Sequence, residues 1–463
     1  MGKRGNYLAK NTFIFAIGNI GTKMINFFLV PIYTYALTTT EYGTVDLIST
    51  ICMVLYPILI LNINEAIMRF CLDKNVEYNE ILSTGIVVFC GTLILGLTVI
   101  PISRLIPEIS QYGIYLYFYS ITLGGSQLLL CYLRGKEKLV AYTIGNIVHT
   151  GAIAVLNILF LLRFHWGITG NLLAFILSNI ITMIYSYIVG NVNEIFSHFH
   201  LDKKLSLEMI KYSSILIPNT FMWWIINSSD RIMISLLIGA SANGLYAIAY
   251  KIPTLLSTVT NVFTQAWSYS AIKENDSSDR DSFTNIVYSN LVSSVTIIGV
   301  GLLMIMKPFM KIYVNVDYYN AWYYTPYLVI GFVFLTIASF LSTSYTVNKD
   351  SKGFLISSSC GAIINIILNA ILIPVFGVSG AALATCISYI SVFIFRVFDT
   401  RKYVKIVILQ KKHVIGYIIL ILSAFIIFID SLIGQIILCG LFILLIFLNK
   451  SMILKWLKMI KTN

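Results

Sequence analysis

Fourteen long apolar stretches follow one another along this chain, most of them separated by short polar turns. They cover 11–37, 44–70, 81–102, 112–133, 140–163, 167–190, 213–238, 243–270, 284–306, 322–346, 354–376, 378–398, 414–430 and 432–449. Roughly 20 apolar residues wound as a helix cross a hydrocarbon core. The pattern therefore predicts an all-α polytopic membrane protein with about 14 transmembrane helices. Polar turns punctuate it: Thr38-Thr39-Thr40-Glu41-Tyr42-Gly43 separates the first two stretches, and glycine pairs Gly167/Gly170 and Gly377/Gly380 open two others.

Composition agrees. The 463 residues are 58% hydrophobic and 11% charged, against about 45–50% and 25% in soluble domains. The net charge of +12 would suit nucleic acid, but its distribution excludes that reading. With fourteen spans and the N-terminus inside, 23 of the 32 Lys and Arg residues fall in cytoplasmic segments and four in outer loops. That asymmetry orients the chain with both termini cytoplasmic. The basic tail, with Trp456 among Lys455, Lys458 and Lys461, suits anionic headgroups.

Seven cysteines stand singly without metal-ligand spacing, so no metal or cofactor is expected. The first apolar run is too long for a cleavable signal core. Neither GxxxxGK[ST] nor HExxH occurs, so an ion gradient (H+ or Na+), the membrane potential or the substrate's own gradient must supply energy.

The chain partly repeats itself. A shift of 201 residues lays 38–43 on Gly239-Ala240-Ser241-Ala242-Asn243-Gly244 and Asn26 on Asn227. A shift of 210 lays Gly167-Ile168-Thr169-Gly170 on Gly377-Val378-Ser379-Gly380. Two six-helix lobes follow, 1–190 and 213–398, joined by a cytoplasmic linker at 191–212 and related by a pseudo-twofold axis along the membrane normal. Residues 399–463 add helices 13 and 14 and the tail. The linker, with His198, His200, Asp202, Lys203, Lys204 and Glu208, suits a solvated surface helix.

Ionisable residues inside the spans are few: Lys23, Asp46, Glu65, Arg69, His149, Asp230, Arg231, Lys251 and Arg396. Each costs roughly 2.5–3.5 kcal/mol at bilayer depth. Seven of the nine lie in spans 1, 2, 7 and 8, the helices related by the 201-residue shift. Amides accompany them at helical spacing: Asn26, Asn219, Asn227, Asn261 and Gln265, with Trp223, Trp224, Trp267 and Tyr269 nearby. Such stripes must face protein or water, and two lobes presenting them would enclose a wet chamber. With His neutral, the five cations Lys23, Arg69, Arg231, Lys251 and Arg396 against three carboxylates make that chamber net cationic, hence attractive to phosphates. Asp46, Glu65 and Asp230 are ion-coupling candidates. Several have structural alternatives: Asp46 as a first-turn helix acid, Glu65 with Arg69 as an i,i+4 pair, Arg69 and Arg396 as residues snorkelling to headgroups, and His149 as a packed polar group.

The opening Asn11-Thr12-Phe13 with Gly18, Gly21 and Lys23, then Pro31 and the turn Leu37–Gly43, resembles the start of Wzx-type O-antigen and capsule repeat-unit flippases. These are polysaccharide biosynthesis proteins of the multidrug/oligosaccharidyl-lipid/polysaccharide (MOP) exporter superfamily. The resemblance implies a non-enzymatic, alternating-access transporter that moves undecaprenyl-pyrophosphate-linked oligosaccharide from the inner to the outer leaflet. It also implies a cationic cavity onto which Lys23, Arg69, Arg231 and Lys251 map, and a pathway shared with glycosyltransferases and a polysaccharide polymerase. Lipid-II-type flippases and multidrug antiporters of the same architecture stay open as alternatives. A polytopic polymerase or ligase would need a long outer loop with clustered Arg and His, which the chain lacks.

Overall fold

A computed structural model describes residues 21–73, 77–193, 199–273, 277, 279–408 and 410–454, without the side chains of Asn219, Trp223, Ile226, Asn227, Val259, Gln265, Tyr269 and Lys273. The opening Asn11–Phe13, Gly18, His198, the tail and the side chains of Asn219, Trp223, Asn227, Gln265 and Tyr269 therefore lie outside it. Among the described residues the chain is helical and contains no strand.

Each of the fourteen apolar windows contains helix, but nine helices of the described chain are long and apolar enough to cross a membrane. The shortfall has physical causes. Only 21–36 of the first helix, α1, is described, and the polar stripes of spans 7 and 8 lower their hydropathy. The last two, Lys411–Ile426 and Leu432–Leu448, are 16 and 17 residues long.

By contacts the chain separates into two compact units, Met1–Gly244 and Leu245–Asn463. This boundary lies beyond the linker at 191–212, because the helix after the linker packs within the first unit.

In the first unit, the stretch expected as one span from 44 to 70 is two helices, α2 (Thr39–Leu59) and α3 (Ile63–Phe70). Pro57 weakens the ladder from within, and Leu61 and Asn62 both adopt left-handed backbone at φ 50° and 53°. The Leu59 carbonyl near the break accepts a hydrogen bond from Thr92 Oγ1 at 2.9 Å, so the broken ladder is repaired from a neighbouring helix. Each half has its own core. Leu47, Ile48 and Cys52 of α2 pack among Val99, Leu116, Tyr119 and Leu172, while Ile63, Ala66 and Ile67 of α3 pack among Ile81, Leu82, Leu128 and Tyr132.

Residues 38–43 are a helix start rather than a turn. Thr38 caps α2 and exchanges hydrogen bonds with Glu41 in a capping box. Around this pair stand α4 (Tyr78–Leu95), α5 (Val99–Ser103), α6 (Gly113–Gly135), α7 (Leu139–Asn157) and α8 (Gly167–Gly190). Asn171 of α8 donates to Asn157 of α7 at 2.9 Å, fixing their approach. The expected surface helix of the linker is continuous with span 7 as α9 (Lys203–Leu237), capped by Asp202 and uninterrupted despite Pro218.

Next comes α10 (Ala240–Lys273), whose first residues belong to the first unit. The second unit contains α11 (Arg280–Tyr313), α12 (Thr325–Val347), α13 (Ser351–Phe376), α14 (Val378–Asp399), α15 (Lys411–Ile426) and α16 (Leu432–Leu448). Its core is α12, buried along most of its length. Phe332 meets Tyr389 of α14 edge-on, and Phe334 lies against Phe393 of α14 and Tyr417 of α15. The paired glycines recur as read: Gly167 and Gly377 sit at φ 54° and 59°, a backbone region open to glycine, each directly before or at a helix start.

Candidate functional site: a charged helix crossing

The first turns of α2 and α10 touch backbone to backbone. A methyl group added at Gly43 would overlap the Ala240 carbonyl, and one at Gly244 would overlap the Thr39 carbonyl. These two contacts exchange under the 201-residue shift, so the sequence repeat is realised as a quasi-symmetric crossing. Thr39 and Ser241 join their hydroxyls across it at 2.8 Å. Only glycine at both positions permits this approach.

Beneath the crossing lies a polar cluster that breaks the symmetry. Arg231 Nη1 of α9 donates to Asp46 Oδ1 of α2 at 2.8 Å. Asn243 Nδ2 of α10 donates to the other carboxylate oxygen, at 3.3 Å, and to the Gly43 carbonyl at 3.0 Å. Asn243 is fully buried, and its Oδ1 has no hydrogen-bond partner among the described residues. The Asp46 and Arg231 side chains are 9% and 19% exposed. Asp230, also buried, accepts the backbone N–H of Arg231 at 2.9 Å. Three helices thus converge on one carboxylate. Farther along, Trp224 Nε1 donates to the Thr50 carbonyl and Asn62 Nδ2 to Thr220 Oγ1, both at 3.2 Å, holding α9 along α2.

The structure brings Asp46, Asp230 and Arg231 together and places the other candidates elsewhere. Asp46 lies about two turns inside α2, and the first-turn acid there is Glu41. Lys23 and Asn26 are exposed on α1, as is Asn261 on α10; Lys251 is half-buried on α10. Glu65 is half-buried, but Arg69, exposed, pairs with Asp73 rather than with Glu65. His149 meets Asn179 Oδ1 at 3.0 Å, and Ser126 donates to the same atom at 3.1 Å, so it is part of a buried polar packing cluster.

Arg396 does not snorkel. It is 5% exposed and donates to Ser357 Oγ at 3.1 Å, Ser358 Oγ at 3.1 Å and the Ala338 carbonyl at 2.9 Å, clamping α14 to α13 and α12. The ring of Phe354 lies 5.3 Å from its guanidinium carbon. Asn243 was the residue that the sequence reading missed. Its signal was an amide inside the small-residue stretch Gly239–Gly244, where the repeat places Tyr42.

The description "polysaccharide biosynthesis protein" belongs to the family whose sequence pattern matches residues 8–269. The chain belongs to that family. The family region contains both repeat-related helix starts and the whole charged crossing, and the resemblance to Wzx-type flippases fits within it. Among curated proteins no sequence relative was found.

The fold matches a lipid II flippase MurJ in an inward closed conformation, with TM-score 0.68 and 14% identity over 97% of this chain and 99% of that one. A multidrug resistance MATE family transporter of the MOP superfamily, inward-facing, matches with TM-score 0.64 and 14% identity over 84% of this chain and 97% of that one. A MOP superfamily transporter from Pyrococcus furiosus matches with TM-score 0.56 and 12% identity over 85% and 95%. This chain thus shares with those proteins an all-helical fold.

Proposed function

We propose that this protein is a flippase that carries undecaprenyl-pyrophosphate-linked oligosaccharide repeat units from the cytoplasmic to the outer leaflet of a bacterial plasma membrane, for assembly of a surface polysaccharide. The observation that carries this reading is the family match over 8–269, because that region holds Lys23, Arg69, Arg231 and Lys251. Cations at bilayer depth, focused by low-dielectric walls, attract a pyrophosphate, and Asn26, Asn227, Asn261 and Gln265 supply the amide chemistry that pairs with sugar hydroxyls.

In this reading the lobes 1–190 and 213–398 expose the cationic cavity to each side of the membrane in turn. Asp46, Glu65 and Asp230 are the groups available for coupling to H+ or Na+. Pathway glycosyltransferases and a polymerase would act before and after it. A lipid-II-type substrate is the second reading, favoured by the MurJ match along 97% of the chain.

The test is complementation of a strain lacking the gene. Lys23→Ala and Lys251→Ala should each abolish export of surface polysaccharide at unchanged protein level. Full complementation by both variants would remove the cationic-cavity mechanism.

A further inference from the structure

The Asp46–Arg231 bridge sits where a permanent structural pair would be poorly placed. The crossing above it is made of Gly43, Gly244, Ala240, Thr39 and Ser241, residues with small side chains or none. The bridge runs from Arg231 Nη1 to Asp46 Oδ1, a charge-assisted contact of the kind that a guanidinium also makes to a phosphate oxygen. Asn243, which holds the carboxylate, leaves its own buried Oδ1 without a partner among the described residues. Below, the break at Leu61 and Asn62 separates α2 from α3, and the two halves have separate cores.

We propose that Asp46 is a tethered anion that masks Arg231: its carboxylate occupies the guanidinium in the closed crossing, and a phosphate group of the ligand takes its place when the crossing parts. The inference rests on the proposed flippase reading and adds a regulation to it. Arg231 binds its anion only in exchange for Asp46, so opening of the α2–α10 crossing and binding of the phosphate group are coupled. No bond is made or broken in this exchange. One charge-assisted hydrogen bond replaces another, which keeps the guanidinium compensated throughout.

The experiment measures binding of inorganic pyrophosphate by calorimetry to the full-length purified protein in neutral-lipid nanodiscs, without any transport step. Asp46→Asn keeps an oxygen for Asn243 and removes the competing charge. It should tighten pyrophosphate binding at least tenfold, and the double variant Asp46→Asn/Arg231→Gln should lose that gain. A disulfide formed in Thr39→Cys/Ser241→Cys should suppress pyrophosphate binding, and reduction should restore it. Elution as a single species and an unchanged helical circular-dichroism signal establish that each variant is folded.

Unchanged affinity in folded Asp46→Asn, or a gain that survives loss of Arg231, overturns the masking role. So does a gain seen only as binding to phosphatidylglycerol bilayers and not to pyrophosphate, because the site would then serve bulk headgroups. Because this readout is binding alone, a failed export assay would count against the flippase reading and leave the exchange to be judged by these affinities.

Discussion

Two arginines set at membrane depth are satisfied in opposite ways. Arg396 is closed in by two serine hydroxyls, one backbone carbonyl and an aromatic face, with no carboxylate bridging it among the described residues. Arg231 is held by a carboxylate in a thin crossing and keeps a fifth of its side chain exposed. Neutral partners on two neighbouring helices make a clamp, because releasing them would strand a buried cation at high cost. A charged partner on a neighbouring helix can be exchanged for another anion. A charge inside a membrane protein is therefore not by its presence a ligand site; its partners decide.

The strongest way to break this comparison is to act on the crossing. Gly43→Leu places a side chain into the Ala240 carbonyl and should cost about 3 kcal/mol or more through overpacking against backbone. It should be read as a lowered thermal midpoint in detergent together with lost transport. A Gly43→Leu protein of wild-type stability would mean that the crossing is not close-packed.

Next comes the clamp. Arg396→Met should lower stability by about 2–3 kcal/mol, because Ser357, Ser358 and Ala338 lose a charged donor. Transport per folded molecule should stay near wild type. Loss of transport at full stability would make Arg396 a ligand residue and erase the contrast.

The smallest effect concerns acid. Outside the spans, Asp350 accepts hydrogen bonds from Tyr403 at 2.6 Å and the Gly353 N–H at 2.9 Å, with Lys402 at 3.4 Å. The Tyr403 hydroxyl first, then the Gly353 amide, lower its pKa to about 2. A depressed carboxylate contributes stability above its unfolded value, near 4, and loses it as pH falls toward the folded one. Melting temperatures between pH 5 and 8 should therefore not respond to this group. Below pH 4, wild type should lose more stability than Tyr403→Phe, as followed by circular dichroism.

Much of the fold was legible because apolar runs dictate helices in a bilayer and lone glycines mark tight approaches. The 201-residue match was legible too, though as a turn. Its meaning as a helix start depended on Thr38 and Glu41 closing a capping box, which the Thr-x-x-Glu spacing already contained. The break at 61–62 was not legible, because Asn62 reads as one more polar residue in a stripe until its backbone is seen. Of the site, Asp46, Asp230 and Arg231 could be named, yet not joined. Asp46 and Arg231 are 185 residues apart, and no helical periodicity relates two different helices. Arg69 was given Glu65, one turn before it, as an alternative partner, when Asp73, one turn after, was its partner; helical spacing suits both acids and does not choose between them.

The most direct test is translocation in proteoliposomes loaded with a fluorescent undecaprenyl-pyrophosphate oligosaccharide, scored by accessibility of the sugar to an enzyme on one side. The wild-type protein should move the lipid well above the protein-free rate, and Arg231→Gln should retain less than about a tenth of that activity, a loss of at least about 1.4 kcal/mol in the rate-limiting barrier. Equal rates for wild type and Arg231→Gln, or wild-type vesicles no faster than empty ones, would contradict the account.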